Sequence, residues 1–589
     1  MLWPVFRTRR PQPRPRRLTE PRNPHRQGYC FQAISPQPTH RHPDLSIRAD
    51  SLSFGSLSPS GFPYFKRLLA GGALTLLPLA FCVGVGDATS AVPGTSVAAV
   101  AVDLETLPGR SAAAIYCVIC HALPNPSDLD RRTWSEELLP KMRYITGVAA
   151  APTNGYFRDL PRLLEANYFP KKPLIPPAVF EQIAAYYTQA APERLPSGDP
   201  QPIEVGLPLF RPEMAPHRHT PPRTPMVRID AGQGIILASD AASQGLEFLD
   251  ASGRLLGSLP LGNIAVSLAE TDQHWFIGAI GHFFPREEPA GQILRVYRKT
   301  TPLRTEPLVS RLPRVAHVAV GDLNADGHAD LVLCAFGNYL GRLSWLEGRA
   351  DGEFTERVIL PEPGCLRCEI RDFNGDGRLD LMVLQAQARE SLLLFLNEGG
   401  GKFRRQLVYQ RPPSWGHSGF ELADFNRDGL PDVLVTNGDN ADFNTSPHKA
   451  YHGIRLYLNR GGLKWELAWT APMHGAYRAV ARDFDADGDL DIAAASFFAD
   501  YETTPQEGFL YFENTSPAGG REWDFKARTL RPGVTGRWIS LEAGDLDSDG
   551  DDDLVLGSLI DMPTPVPDKL KALWREKGPS VLILRNQTK

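Results

Sequence analysis

The sequence predicts a multidomain protein: a small all-α domain followed by an all-β propeller of seven blades. Three observations predict it. An Asp-rich nine-residue pattern recurs five times at spacings of 50 to 62 residues, and each copy runs into a short apolar stretch. Gly and Pro number 52 and 53 among 589 residues, which favours many short elements joined by tight turns. Upstream of the repeats, residues 104–196 carry apolar side chains at helical spacing instead. A chain of this length exceeds what one core organises, so separate domains are expected.

The N-terminus is read as an address. Residues 1–65 form a basic, Pro- and Arg-rich leader expected to be disordered. Through Arg67 there are 12 basic against 3 acidic residues, leaving 51 basic against 65 acidic of the chain's totals of 63 and 68. The arm is Pro- and Arg-rich and reads as a disordered or untranslated leader, so a nucleic-acid partner is not expected. Residues 66–91 have the layout of a secretory signal: Lys66 and Arg67, an apolar run from Leu68 to Gly86, then small residues at Ala88–Ala91. Its distance from Met1 places the expected translation start near residue 50–60. The alternative is a retained anchor, because about 19 apolar residues can span a bilayer, and a membrane is a partner only if 68–86 is kept. Either way the chain is expected to be exported, periplasmic or extracellular.

The unit at 104–196 contains three expected helices. Ala112–Tyr116 leads into Cys117, Val118, Ile119, Cys120 and His121; Trp134–Tyr144 follows, with Thr133 as cap; Pro177–Ala190 closes, with Pro at its start where a missing N–H costs nothing. Two thiols three positions apart with His next can add across both vinyl groups of a haem, the imidazole then serving as proximal iron ligand. One covalent haem c is therefore expected on Cys117, Cys120 and His121. No second His occurs in the unit and Met142 is its only Met, so Met142 is the expected sixth ligand. His/Met ligation raises the reduction potential relative to His/His, which suits an electron carrier. A helix ending in this motif, with an aromatic C-terminal helix, resembles the class I cytochrome c fold.

After a linker at 197–221 the propeller is expected over 222–589. The nonapeptide places oxygen side chains at positions one, three, five and nine around a Gly. These are Asp322, Asn324, Asp326 and Asp330, then Asp372, Asn374, Asp376 and Asp380, then Asp424, Asn426, Asp428 and Asp432. The last two copies are Asp483, Asp485, Asp487 and Asp491, and Asp545, Asp547, Asp549 and Asp553. Such a cage suits a hard cation, and up to five Ca²⁺ are expected, supporting the loops rather than regulating them. An EF-hand is excluded, because its bidentate Glu at position twelve is replaced by Leu333, Val383, Val435, Ala494 and Leu556. The apolar runs after position nine read as buried strands, so each loop joins two strands. Strands closing on Asn397, Asn459, Asn514 and Asn586 complete the later periods, whose length fits four-stranded blades. These repeats resemble the FG-GAP/VCBS family, which includes the integrin α-subunit propeller. Residues 226–261 and 264–312 have blade-like patterns without the metal loop, bringing the count to seven.

Segments ahead of each Asp loop are expected at the opposite face, near the channel. They hold His317, Arg367, Trp415, His417, His474, Tyr477, Arg478, Arg537 and Trp538, with His282 from the second blade. A small-molecule or glycan ligand could bind there, with His317, His417 and His474 the candidate catalytic residues. Cys365 and Cys368 form a second C-x-x-C, but Glu369 follows in place of His, which rejects a second haem; a local disulfide and two free thiols both stay open. Cys334 is expected simply to pack. The expected function is electron transfer between the haem and a redox partner protein. Whether an oxidoreductase reaction at the propeller face feeds the haem is left open by the sequence, as is the alternative of a Ca²⁺-dependent binding or adhesion propeller.

Overall fold

The computed structural model describes residues 108–153, 156–198, 201–442, 447–517, 522–561 and 565–589. The leader at 1–65 and the signal or anchor at 66–91 lie outside the described residues. Among those described, no helix is long and apolar enough to cross a membrane.

The apolar runs that follow each Asp loop become strands whose six residues are all buried: Asp330–Ala335, Asp380–Gln385, Asp432–Asn437, Asp491–Ser496 and Asp553–Ser558. They are buried on both faces because each sits inside a sheet that is itself stacked between two others. Seven antiparallel sheets result, at 227–260, 265–312, 315–360, 365–410, 417–472, 476–529 and 538–586, here blades one to seven. First strands contact one another around the ring and line its axis. Between blades, apolar layers interlock; Leu331, Leu333 and Ala335 of blade three meet Phe276 and Ile293 of blade two. Each such Leu or Phe contributes about 1.5–3 kcal/mol on burial. The two blades lacking the Asp loop are present as expected.

The region between the helical unit and the propeller differs from expectation. The supposed linker 197–221 supplies two strands: Phe210–Met214 pairs antiparallel with Val581–Asn586 as the outer strand of blade seven, and Glu204–Val205 adds to blade six in parallel. The N-terminal end of the propeller therefore closes the ring, supplying the outer strand of blade seven from the opposite end of the chain to its other three. Pro212 is tolerated because an outermost strand needs bonds on one side only.

The helical unit comprises α1 (Gly109–Tyr116), α2 (Leu139–Ile145), α3 (Leu160–Glu165) and α4 (Pro177–Ala190), while α5 (Asp568–Lys577) is inserted in blade seven. A π-helical turn, Thr133–Leu138, precedes α2. Thr133 lies inside that helix rather than capping it; Asp130 is the cap, accepting the Thr133 N–H at 2.9 Å and its hydroxyl at 2.7 Å. The unit's core is Ala112, Ala113, Trp134, Val179, Phe180, Ile183 and Tyr187. α1 and α4 cross closely at Gly109, where a Cβ would lie 2.1 Å from the Gln182 carbonyl oxygen.

Candidate functional site

α1 tightens into a 3₁₀ turn at Cys117–Ile119, which brings Cys117 and Cys120 onto one short arc. Both thiols are free, Cys117 half-buried and Cys120 exposed. Burial pushes the Cys117 thiol up to about 11. Around them apolar side chains face outward: Val118 is 49% exposed, Ile119 52% and Leu123 41%. Three exposed aliphatics beside two thiols form an apolar surface that a macrocycle would cover. The His121 Nδ1–H donates to the Ala122 carbonyl at 2.8 Å, which leaves Nε2 with its lone pair. Burial, the largest influence, holds this imidazole's pKa below its ordinary value. Met142, on α2, packs against the same apolar cluster as Cys117. The donor set and its surroundings thus fit the haem expected from the motif.

The unit is seated on the propeller. The Arg389 guanidinium donates to the Cys120 carbonyl at 2.8 Å and is held by Glu362 at 2.9 Å. The Tyr451 hydroxyl donates to the Asp128 carbonyl at 2.8 Å, and the Glu287 N–H to the Asp159 carboxylate at 2.9 Å. Tyr339 packs against Phe157 and Tyr168. Glu287, Tyr339, Arg389 and Tyr451 all belong to loops between second and third strands, in blades two to five. The Asp loops join first and second strands, at the other ends of the blades. The haem motif therefore rests on the propeller face opposite the Asp loops.

The residues expected to ring that face do not form one ring. His317 lines the channel with Arg367 and Arg478; burial first, then Arg367, Arg478 and Arg228, hold its pKa well below the ordinary value. A β-bulge aims these three inward, and the register shifts at the equivalent place in blades two to seven. His417 is instead sealed between blades four and five: its Nδ1 and backbone N–H meet Glu390 Oε2 at 2.8 and 2.7 Å, and its Nε2 meets the Tyr409 hydroxyl at 3.2 Å. Arg537 and Trp538 are likewise buried, and Tyr477 packs on Phe497 and Phe498. Trp415 stacks on Tyr451, with the Arg455 guanidinium 4.4 Å from its ring centroid. His282 pairs with Glu288 at the surface. His474 donates from Nδ1 to Glu507 at 2.9 Å, which raises its pKa, and its ring lies 5.3 Å from that of His448. His448 in turn is 3.6 Å from Asp500. Sequence reasoning missed His448, Asp500, Glu507 and Arg389, because they lie in loops between second and third strands, away from the repeat that drew attention.

The five Asp loops share a backbone. Position four has a left-handed φ in every copy, at Ala325, Gly375, Arg427, Ala486 and Ser548, and so does the Gly at position six. At Gly327, Gly377 and Gly429 an added Cβ would meet nothing within 4 Å, so conformation rather than space requires glycine there. In the first three loops the Asn amide at position three donates to the Asp at position five, at 2.9 to 3.0 Å. The last two carry Asp at position three, and there three carboxylates crowd together: Asp483, Asp485 and Asp487, and Asp545, Asp547 and Asp549. Burial and then its carboxylate neighbours push Asp489 up to about 6. Arg585 reaches Asp547 at 3.2 Å in the last loop.

Position nine has another place. Asp330, Asp380, Asp432, Asp491 and Asp553 are buried at 0–1% exposure. One oxygen of each accepts the backbone N–H that closes the third strand, from Gly348, Asn397, Asn459, Asn514 and Asn586, at 2.7 to 2.8 Å. The other accepts the position-two N–H in four copies, and the Tyr511 hydroxyl in the copy ending at Asp491. These five side chains bracket three strands of a blade, apart from the cluster at positions one, three and five. Cys334, Cys365 and Cys368 are buried free thiols within one core cluster, so the second C-x-x-C is packing.

The FG-GAP-like repeat family matches residues 322–383 and 372–435, spanning the first three loops. The chain carries FG-GAP-like repeats in a seven-bladed propeller. No curated protein matches it. Among solved structures, the periplasmic gluconolactonase of Pseudomonas aeruginosa is 13% identical, covering 59% of this chain and 89% of its own at a TM-score of 0.35. The calcium-binding protein regucalcin of Agrobacterium tumefaciens is 12% identical, covering 51% and 92% at 0.33. A protein from Lactobacillus plantarum is 12% identical, covering 55% and 84% at 0.36. Likenesses this slight carry neither activity nor ligand to this chain.

Proposed function

We propose that the protein is an exported, monohaem c-type electron carrier whose haem unit is mounted on a Ca²⁺-supported propeller. The observation that carries this is the Cys117–His121 arc, with two free thiols, a His121 Nε2 left with its lone pair, and exposed Val118, Ile119 and Leu123 around them. Cys117 and Cys120 would hold the haem covalently, His121 would be its proximal ligand and Met142 the sixth. When bound, the haem supplies reversible one-electron transfer. Arg389, through the Cys120 carbonyl, ties this arc to the propeller, so a ligand on that face lies on the same side of the molecule as the haem. The rim group His448, His474, Asp500 and Glu507 is the best-equipped place for a small molecule or glycan, because imidazoles and carboxylates there can exchange protons with it. In the enzymatic form of this reading the chain is an oxidoreductase whose electrons leave through the haem to a redox partner protein.

The test is a pyridine haemochrome of protein made in a c-type maturation host, with oxidised and dithionite-reduced spectra. Covalently retained haem with sharp reduced α and β bands is expected, and a colourless protein would overturn the proposal. Met142→Ala should abolish the near-infrared Met–Fe(III) band; an unchanged spectrum removes Met142 as a ligand. Support for Ca²⁺ comes from the crowded carboxylates at Asp483–Asp487 and Asp545–Asp549, whose mutual repulsion a bound cation would offset. The same clusters favour the second reading, Ca²⁺-dependent binding or adhesion with the cytochrome as a docking device. Ca²⁺-dependent capture of a ligand without turnover or haem reduction would select it.

A further inference from the structure

Away from both sites, the segment that closes the ring carries His217 and His219, between Phe210–Met214 of blade seven and the first strand of blade one. Two residues apart, both side chains reach one carboxylate. The side chain that meets them is Glu247, on the third strand of blade one, Gly245–Asp250. His217 Nε2 is 3.1 Å from one carboxylate oxygen and His219 Nε2 is 2.8 Å from the other. The imidazole planes stand at 88° with centroids 5.2 Å apart, so the rings converge on the carboxylate without stacking. This segment is pinned to blade seven: the His219 backbone N–H donates to Ser580 Oγ at 2.8 Å, and the Arg218 guanidinium to the Glu576 carbonyl at 2.6 Å.

We propose that His217, His219 and Glu247 form a Zn²⁺ site that clips the closing segment of the ring to blade one. Two imidazoles and a carboxylate are the donor set of three-ligand zinc sites, which keep a fourth position for water. In a tetrahedral site with bonds of about 2.0–2.1 Å, neighbouring ligand atoms lie about 3.3 Å apart. The two nitrogen–oxygen separations differ from this by a few tenths of an ångström, and the three ligand atoms all lie within 4.8 Å of one another. Charge argues the same way. The Glu247 side chain is only 10% exposed, and among the described residues its ion-pair partners are these two imidazoles alone. A divalent ion held there would meet this buried carboxylate and both imidazole nitrogens at once. At 22% and 28% exposure, both His side chains stay reachable from solvent.

The experiment titrates Zn²⁺ into the full chain against a chromophoric chelator, in excess Ca²⁺ so that the Asp loops are filled. One equivalent is expected, with a melting temperature raised by Zn²⁺. His219→Ala should weaken binding by more than the ~100-fold that loss of an outer-shell partner costs. Glu247→Gln, which keeps shape and hydrogen bonding, should also lose the equivalent, guarding against a variant that fails to fold. The Zn K-edge spectrum of the parent should show two imidazole nitrogens. No binding by the parent would mean a hydrogen-bonded fork only, and undiminished binding by both variants would place the ion elsewhere; either overturns the proposal.

Discussion

Asp380 occupies position nine of the second loop, where a cage of four oxygens would make it a ligand and the structure makes it a bracket between strands. Its oxygens accept the N–H of Phe373 at 3.1 Å and that of Asn397 at 2.8 Å. Asp380→Ala leaves both buried donors without an acceptor, at about 1–3 kcal/mol each. The cost of burying the carboxylate, which raises its pKa, offsets part of this. The expected net loss is about 2–5 kcal/mol. Asp376, at position five, is different. It accepts from the Arg378 N–H and the Asn374 amide at the surface, so Asp376→Ala should cost less than about 1 kcal/mol without a cation. The assay is urea unfolding of both variants and the parent, followed by tryptophan fluorescence in EDTA and in Ca²⁺. Asp380→Ala should lower the midpoint in both buffers, and Asp376→Ala mainly in Ca²⁺. If Asp380→Ala is harmless in EDTA and damaging only in Ca²⁺, position nine is a ligand and the bracket reasoning is wrong.

Chelation should lower the melting temperature, since each site filled to 100 times its Kd contributes about 2.7 kcal/mol. Asp485→Asn with Asp547→Asn should shrink that EDTA effect more than Asn324→Ala with Asn374→Ala; equal effects would mean the crowded loops are not special. The pKa of His474 is raised, chiefly by its hydrogen bond to Glu507. Its stabilisation is therefore fully present below the unfolded imidazole pKa and lost as pH rises through the folded value. His474→Asn should accordingly destabilise more at pH ~5.5 than at pH ~8.5, and a pH-independent difference would contradict the pairing. Gly109→Leu drives a side chain into the Gln182 carbonyl and should separate α1 from α4. A retained helical circular dichroism melt for that variant would show that the crossing adapts.

What the linear chain determined by itself was everything encoded at short range. The nonapeptide placed five loops and the strands after them, because a left-handed position four, a Gly at position six and an apolar run are local demands. The Cys117–His121 motif and the α4 periodicity were equally local, and α4 spans Pro177–Ala190 as the spacing predicts. Tertiary structure decided what depends on distant partners. Phe210–Met214, with one buried residue and Pro212, looks like linker until Val581–Asn586 lies beside it across the ring. Position-nine Asp looks like a ligand until the third strand brings a backbone N–H to it. His417 reads as a free imidazole until Glu390 and Tyr409 enclose it, and His217 and His219 carry no signal until ring closure delivers Glu247. Each of these depends on a hydrogen-bond or charge partner supplied by another strand or loop, and only folding selects which buried polar groups meet.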